Sequence, residues 1–270
     1  IKSPTVTGNI YRTRTTVFIV ATFFCVMLFT KIALNAQTIS DNFANLATAY
    51  NNYGFVYCFS NSVVDVGIGQ PSDYSEDKML EIKDDLDSVG TTDSTLGKDK
   101  PNVIFVQLES FMDPSYVKYL TFNENPIPNF TKLKEECTSG FLTMPAIGAG
   151  TANSEFEVLS GFNVAYFGAG EYPYKTILGK QTIETMATQL KLDGYSTHAM
   201  HNHDGTFYDR YKVYKNMGFD TFTPMEYMYN LHLTQKNWEK DDVLTGEIMK
   251  TLTFTTSRDF IFTVSVQGHG

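Results

Sequence analysis

The sequence predicts an α/β domain preceded by one membrane-spanning helix, and three observations carry that prediction. Residues 15–30 contain no charged side chain, a length near the roughly 20 apolar residues that a bilayer-crossing helix needs. From Pro101 onward apolar strand-like runs alternate with helical ones, the pattern of a sheet with helical crossovers. Three of those runs lead into Glu109, His201 and His269, and Gly150-Thr151 stands where a helix begins between the first two. One parallel sheet would bring all those strand ends to a single edge, where open α/β sheets bind ligands.

The first element extends past Lys31 into Ile32-Ala33-Leu34, because a terminal lysine can snorkel. A signal peptide is one alternative, with Arg12 and Arg14 as its charged region and Ala36 at the cleavage site, but Leu34 fits the minus-three position poorly. A buried soluble helix is the other. Residues 17–29 are apolar nearly all round, without the polar face of a globular helix, which favours the membrane. The positive-inside rule then places residues 1–14 in the cytoplasm and the chain after about Asn35 outside. The expected organisation is a cytoplasmic loop over 1–14, a transmembrane helix over 15–36, an extracytoplasmic helical segment and linker over 37–100, and a catalytic domain over 101–270. Within the third part, residues 41–64 mix aromatics with small polar residues, and residues 70–100 read as an acidic juxtamembrane linker. The start at Ile1 and the end just past an apolar strand-like run read as those of an internal fragment.

In the catalytic part, strands are expected over 102–108, 139–143, 195–200 and 259–266, and helices near 128–136, 152–160, 181–193, 207–217 and 241–251. The continuous apolar character of 102–108 suggests a buried parallel strand. Composition agrees with a folded domain: 42% of the 270 residues are hydrophobic and 14% aromatic, enough for a core. Of 21 basic residues, four precede the first acidic one, Asp41, so from Asp41 onward 17 basic residues stand against 30 acidic ones. That balance argues against a nucleic-acid-binding surface. Cys25, Cys58 and Cys137 form no metal spacing and indicate no disulfide.

Two polar constellations remain. Glu109 ends the first strand, and Gly148 and Gly150 let the backbone approach a ligand before Thr151. A threonine at a helix start faces unpaired N–H groups and the positive end of the helix dipole, which favour a phosphoryl group and help stabilise an alkoxide. Taken alone, Thr151 is an ordinary N-cap and Glu109 a loop carboxylate. The second constellation is His201-Asn202-His203-Asp204 with Phe207-Tyr208-Asp209-Arg210. Histidines there suit a metal or a phosphate, and the arginine suits a bidentate phosphate clamp. The plainer alternative is a loop whose histidines bond to backbone and whose Arg210 pairs with a carboxylate.

Together these residues resemble the lipoteichoic acid synthase group of membrane-bound phosphoglycerol transferases, in the alkaline phosphatase/sulfatase superfamily. The carriers are Asn102 to Ser110, Gly150-Thr151-Ala152-Asn153-Ser154-Glu155-Phe156-Glu157, His201 with Phe207 to Arg210, and Ser265-Val266-Gln267-Gly268-His269. The resemblance implies an alkaline phosphatase/sulfatase-like sheet flanked by helices. It implies that Glu109 and Thr151 bind a divalent cation, usually Mn2+, with Thr151 also the nucleophile. His201, His203, Tyr208, Arg210 and His269 become the substrate-binding set. Tyr208 stands where a tryptophan is familiar and His203 where an aspartate is expected. An Asp-His pair of further metal ligands belongs farther along the chain than Gly270. Implied partners are phosphatidylglycerol, a polyglycerolphosphate or glycolipid acceptor, and the cell membrane of a Gram-positive-type bacterium. The motif Cys/Ser-x-Pro-x-Arg of a sulfatase nucleophile is not what Thr151 to Glu155 offer. A phosphoethanolamine transferase, and a membrane-anchored binding module without chemistry, remain as alternatives. On this reading the 270 residues alone would be inactive and bind metal weakly, because Glu109 and Thr151 leave a coordination shell incomplete.

Overall fold

The computed structural model describes residues 9–36, 38–39, 43, 46–64, 67, 69, 71–88, 100–146, 150–168 and 170–269. They fall into two compact units, one comprising residues 1–90, 147–150 and 163–171, the other residues 91–146, 151–162 and 172–270.

In the first unit, α1 (Asn9–Asn35) is continuous through the charge-free stretch. Its 27 residues span about 40 Å at 1.5 Å per residue. Val17, Phe18, Ile19, Phe24, Leu28 and Phe29 are all exposed, and the segment from Tyr11 to Asn35 is long and apolar enough to cross a membrane. The hydroxyls of Thr15 and Thr30 donate to the carbonyls of Tyr11 and Val26, each at 2.9 Å, so neither presents an unmet donor to an apolar medium. The second helix, α2 (Leu46–Val64), packs against α1 and kinks at Gly54, whose φ of 80° only glycine adopts easily. Phe43, Ala49 and Cys58 form its small core.

Residues 70–100 were expected to be a linker, yet α3 (Glu76–Ser88) lies within them. Ser75 accepts from the Lys78 N–H, Glu76 and Asp77 occupy the first turn, and Lys78 pairs with Glu81. Capping, the helix dipole and an i,i+3 pair thus support a helix that buries no residue. The most Ser/Thr/Gly-rich part of the expected linker, 89–99, lies outside the described residues.

The second unit is built on β1 (Val103–Gln107), β2 (Tyr195–His201), β3 (Thr221–Pro224) and β4 (Arg258–Val264), all parallel, in the order β1-β4-β2-β3. Helices α4 (Pro128–Glu136), α5 (Thr151–Ser160), α6 (Met186–Leu192), α7 (Arg210–Asn216) and α8 (Asp242–Phe254) supply the flanking structure. Central β4 is buried from Asp259 to Val264, as a strand paired on both sides should be. The outer strand β1 differs from expectation: Ile104 and Val106 are about half exposed, because β1 pairs only with β4 and one of its faces is open among the described residues.

Three expectations are corrected. Residues 139–143 are irregular, with Phe141 and Leu142 exposed; the run is short, holds Gly140 and meets Pro145. The strand Thr221–Pro224 was not foreseen, because four residues with alternating threonines ending in proline give little apolar signal. The helix expected over 181–193 begins only at Met186, where Thr185 accepts from the N–H groups of Ala187 and Thr188 and the Thr188 hydroxyl closes a capping box.

Candidate functional site

The parallel register brings the carboxyl ends of β1, β4 and β2 to one edge, and the polar residues named above follow from that edge. The Glu109 N–H donates to the Ser265 hydroxyl at 3.1 Å, and the Ser265 N–H donates to the Gln107 carbonyl at 3.0 Å. These bonds tie the exit of β1 to the exit of β4. At Gly268 an added Cβ would lie 2.7 Å from the Glu109 carbonyl oxygen, so the segment after β4 crosses Glu109 only because glycine stands there. Ser110, just after Glu109, has a φ of 56°, a conformation that costs energy in a non-glycine residue and often marks a functional turn.

Thr151 opens α5, preceded by Gly150 with a φ of 91°. Its hydroxyl donates to Glu109 Oε1 at 2.5 Å across 42 residues of sequence. His269 Nε2 lies 3.2 Å from the same carboxylate oxygen. Glu109 is buried, and Thr151 and His269 are half-buried, so the trio runs from the sheet edge toward solvent.

His201, the last residue of β2, is buried, and its Nδ1 donates to the Val264 carbonyl at 2.9 Å. That bond fixes the tautomer, leaving Nε2 with a lone pair. Burial first, and the nearby Arg210 charge second, hold its pKa down at about 3. His203 is pushed down by the same two causes, and the charges of Glu109 and His269 also act on it. Its ring lies 5.7 Å from His201, 5.2 Å from Phe207 and 5.4 Å from Trp238, and its Nδ1 has no hydrogen-bond partner among the described residues.

Tyr208 and Asp209 both adopt left-handed φ values, 58° and 55°, and this tight reversal delivers Arg210 to the start of α7. The Arg210 guanidinium lies over the rings of Tyr208 and Phe207, at 5.4 and 5.9 Å, and Tyr172 stacks on Tyr208 at 5.8 Å. Burial, then the neighbouring Tyr172, raise the Tyr208 pKa. Arg210 is buried and pairs with Glu155, Nη2 to Oε1 at 2.5 Å and Nε to Oε2 at 3.3 Å.

The structure therefore brings Glu109, Thr151, His201, His203, Tyr208, Arg210 and His269 to one side of one unit. The plainer alternative is also visible in it, since His201 does bond to backbone and Arg210 does pair with a carboxylate. One nitrogen of each is nonetheless left over: Nε2 of His201, and Nη1 of Arg210, which is buried with no partner among the described residues. Sequence reasoning gave no role to Glu155 or Trp238. Glu155 could have been found from its i+4 spacing to Thr151, which places both on one helix face. Trp238, 4.5 Å from the His269 ring, reaches the site through a loop and had no local signal.

Glu109 and Thr151 offer two oxygen donors at one point, chemistry that suits a hard divalent cation. Among the described residues no three His, Cys, Asp or Glu side chains form a metal-binding group. The residues fit such an ion as part of a donor set that needs further ligands.

Comparison with known proteins adds to this geometry. The sulfatase family profile matches residues 101–270. A Rhizobium meliloti (strain 1021) protein named for cyclic beta-1,2-glucan modification is 32% identical over 223 residues, 82% of this chain and 33% of its own length. The phosphoglycerol transferase GacH of Streptococcus pyogenes, solved with sn-glycerol-1-phosphate, superposes with a TM-score of 0.64 at 22% identity over 75% of this chain and 55% of that one. The lipoteichoic acid synthase LtaP of Listeria monocytogenes superposes with a TM-score of 0.53 at 24% identity over 63% and 41% of the two chains. The chain spans about a third of the length of the curated relatives it matches.

Proposed function

Since this chain belongs to the sulfatase family of the alkaline phosphatase superfamily, we propose that it is part of a membrane-associated phosphotransferase that moves glycerol phosphate from phosphatidylglycerol to an acceptor hydroxyl through Thr151. The observation that carries the reading is the Thr151 hydroxyl held 2.5 Å from Glu109 at the start of a helix. Thr151 Oγ1 attacks the phosphorus of the lipid phosphodiester, and the bond from phosphorus to the diacylglycerol oxygen breaks. The Thr151 proton moves to Glu109 Oε1, and the departing diacylglycerol oxygen takes a proton from water. An acceptor hydroxyl then attacks the phosphorus of the glycerophospho-threonine and gives its proton to water. The bond from phosphorus to Thr151 Oγ1 breaks, and Oγ1 recovers its proton from Glu109. A divalent cation bound by Glu109 and Thr151, Mn2+ in this reading, supplies Lewis-acid stabilisation and lowers the hydroxyl pKa.

The other residues divide the substrate between them. Nη1 of Arg210 and the positive N-terminal end of α5 face the phosphoryl oxygens. His269, half-buried and beside the same Glu109 oxygen as Thr151, contacts the phosphate from the solvent side. His201 stays neutral at any physiological pH, so its Nε2 accepts a hydrogen bond from a glycerol hydroxyl and does not pair with the phosphate charge. Tyr208 and His203 form the aromatic wall beside the glycerol. The segment Thr151-Ala152-Asn153-Ser154-Glu155 lacks the Cys/Ser-x-Pro-x-Arg pattern of a sulfate-ester nucleophile, which supports phosphoryl over sulfuryl chemistry. Helix α1 would hold the site near its lipid substrate at high effective concentration, with residues 1–14 cytoplasmic and the catalytic unit outside.

The acceptor follows one of two readings. Resemblance to lipoteichoic acid synthases supports a growing polyglycerolphosphate chain or its glycolipid anchor. The relative named for cyclic beta-1,2-glucan modification favours a second reading, a glycan hydroxyl. The test is diacylglycerol release from labelled phosphatidylglycerol by the complete protein with Mn2+, beside Thr151→Ala, with phosphatidylethanolamine as a second donor and glycolipid or β-glucan as acceptors. Release by wild type alone supports the proposal, and the acceptor that takes the label chooses between the readings. Label transfer only from phosphatidylethanolamine would replace the donor, and release by Thr151→Ala would remove the nucleophile.

A further inference from the structure

Glu155 and Thr151 lie four residues apart on α5, one turn along the same face. Thr151 points its hydroxyl at Glu109. Glu155, fully buried, collects three other groups from distant parts of the chain: the Arg210 guanidinium, the Tyr174 hydroxyl at 2.9 Å and the Tyr214 hydroxyl at 2.6 Å. Tyr174 and Tyr214 are themselves fully buried, and their rings pack edge to face at 6.4 Å. The carboxylate thus makes charge-assisted bonds to four donor atoms, counting Nε and Nη2 of Arg210. Such an array permits little movement of a side chain whose long stem otherwise carries many rotamers.

What the array leaves is as informative as what it binds. Two of the three guanidinium nitrogens face Glu155, the plane lies over Tyr208 and Phe207, and only Nη1 remains, buried and without a partner among the described residues. A buried donor in that state costs free energy that a bound anion recovers. We infer that Glu155 is a positioning residue: by gripping two nitrogens of Arg210 from the same helix that bears Thr151, it fixes the remaining Nη1 at the place where a phosphoryl group is attacked. One rigid element then sets the distance between nucleophile and phosphate clamp, and Tyr174 and Tyr214 hold the carboxylate that does so. This inference rests on the reading of Thr151 and Arg210 as a phosphoryl site.

The test is calorimetric binding of sn-glycerol-1-phosphate, a monoester without the diacylglycerol leaving group, with Mn2+ present, to the complete protein with Thr151 intact. Into this parent are placed Glu155→Gln and, separately, the paired Tyr174→Phe and Tyr214→Phe, which remove two hydroxyls but keep the carboxylate and nearly all the volume. Stoichiometry reports how much protein is folded, and Kd reports the geometry of the clamp. The expected result is a Kd raised about tenfold or more by Glu155→Gln and severalfold by the tyrosine pair, with stoichiometry near that of the parent. A fall in stoichiometry at unchanged Kd in the tyrosine pair would show a merely structural network and overturn the inference, including where Glu155→Gln does not fold. Unchanged Kd and stoichiometry in both would overturn it as well. A folded parent that binds no sn-glycerol-1-phosphate would remove the phosphoryl reading and the inference with it, an outcome distinct from the other two.

Discussion

His201 shows how much chemistry one buried side chain can fix. With a pKa near 3 in the folded protein and 6.5 as its ordinary value, the unfolded chain binds a proton that the native state refuses between those pH values. Stability is then fully present above about pH 6.5 and falls as pH drops through the window toward 3, at about 1.4 kcal/mol per pH unit for one proton. Between pH 6.5 and 5 the carboxylates contribute little, since their ordinary values lie lower. Denaturant melts of wild type and His201→Asn over that range should show the slope in wild type and a smaller one in the variant, where His203, whose pKa is also lowered, still contributes. Equal slopes would assign the proton elsewhere. The position of His201 at a strand end was legible in the sequence. Its neutrality was not, because it depends on burial in the folded unit and on the nearby Arg210 charge, while the bond to Val264, 63 residues away, sets only its tautomer.

At the scale of elements, two positions separate folding from chemistry. Thr185 caps α6 and also donates to the Met217 carbonyl at 2.6 Å, with no contact to the site residues. Thr185→Ala should lower stability by roughly 1 kcal/mol, as loss of a cap does, and leave turnover per folded molecule unchanged; a thermal melt and an assay check both. Gly268 is the reverse case. A Cβ there would press on the Glu109 carbonyl, moving the carboxylate to which the Thr151 hydroxyl donates. Gly268→Ala should therefore cut kcat about 100-fold, as a misplacement near 1 Å does, while the melting temperature moves by only a few degrees. A variant with wild-type kcat would mean that the close crossing is irrelevant to the site. Sequence patterns located α4, α5, α8 and three of the four strands because periodicity and capping are local signals. They missed Thr221–Pro224 and placed a strand at 139–143 because pairing in a sheet is decided by distant partners. They passed over α3 because an acidic, Ser-rich composition masked its capping and i,i+3 pair.

For the whole molecule, α1 and the family domain are both legible in the amino-acid sequence, the first from the absence of charge and the second from motifs spread over residues 102–269. The Arg210–Glu155 network is not, since its members lie at positions 155, 174, 210 and 214 and meet only in the folded unit. Removal of residues 1–36 should shift the complete protein, if α1 is its membrane contact here, from carbonate-resistant membrane fractions toward weaker association. Retention at wild-type strength would place the anchor in another segment. The central claim is that Thr151 carries the transferred group. The most direct measurement is tandem mass spectrometry of the complete protein, incubated with phosphatidylglycerol and Mn2+ without acceptor and then digested. The account predicts glycerophosphate covalently attached to Thr151 in the peptide that contains it, and its disappearance when acceptor is added. Steady diacylglycerol release with Thr151 unmodified at every time point, or the same release from Thr151→Ala, would contradict it.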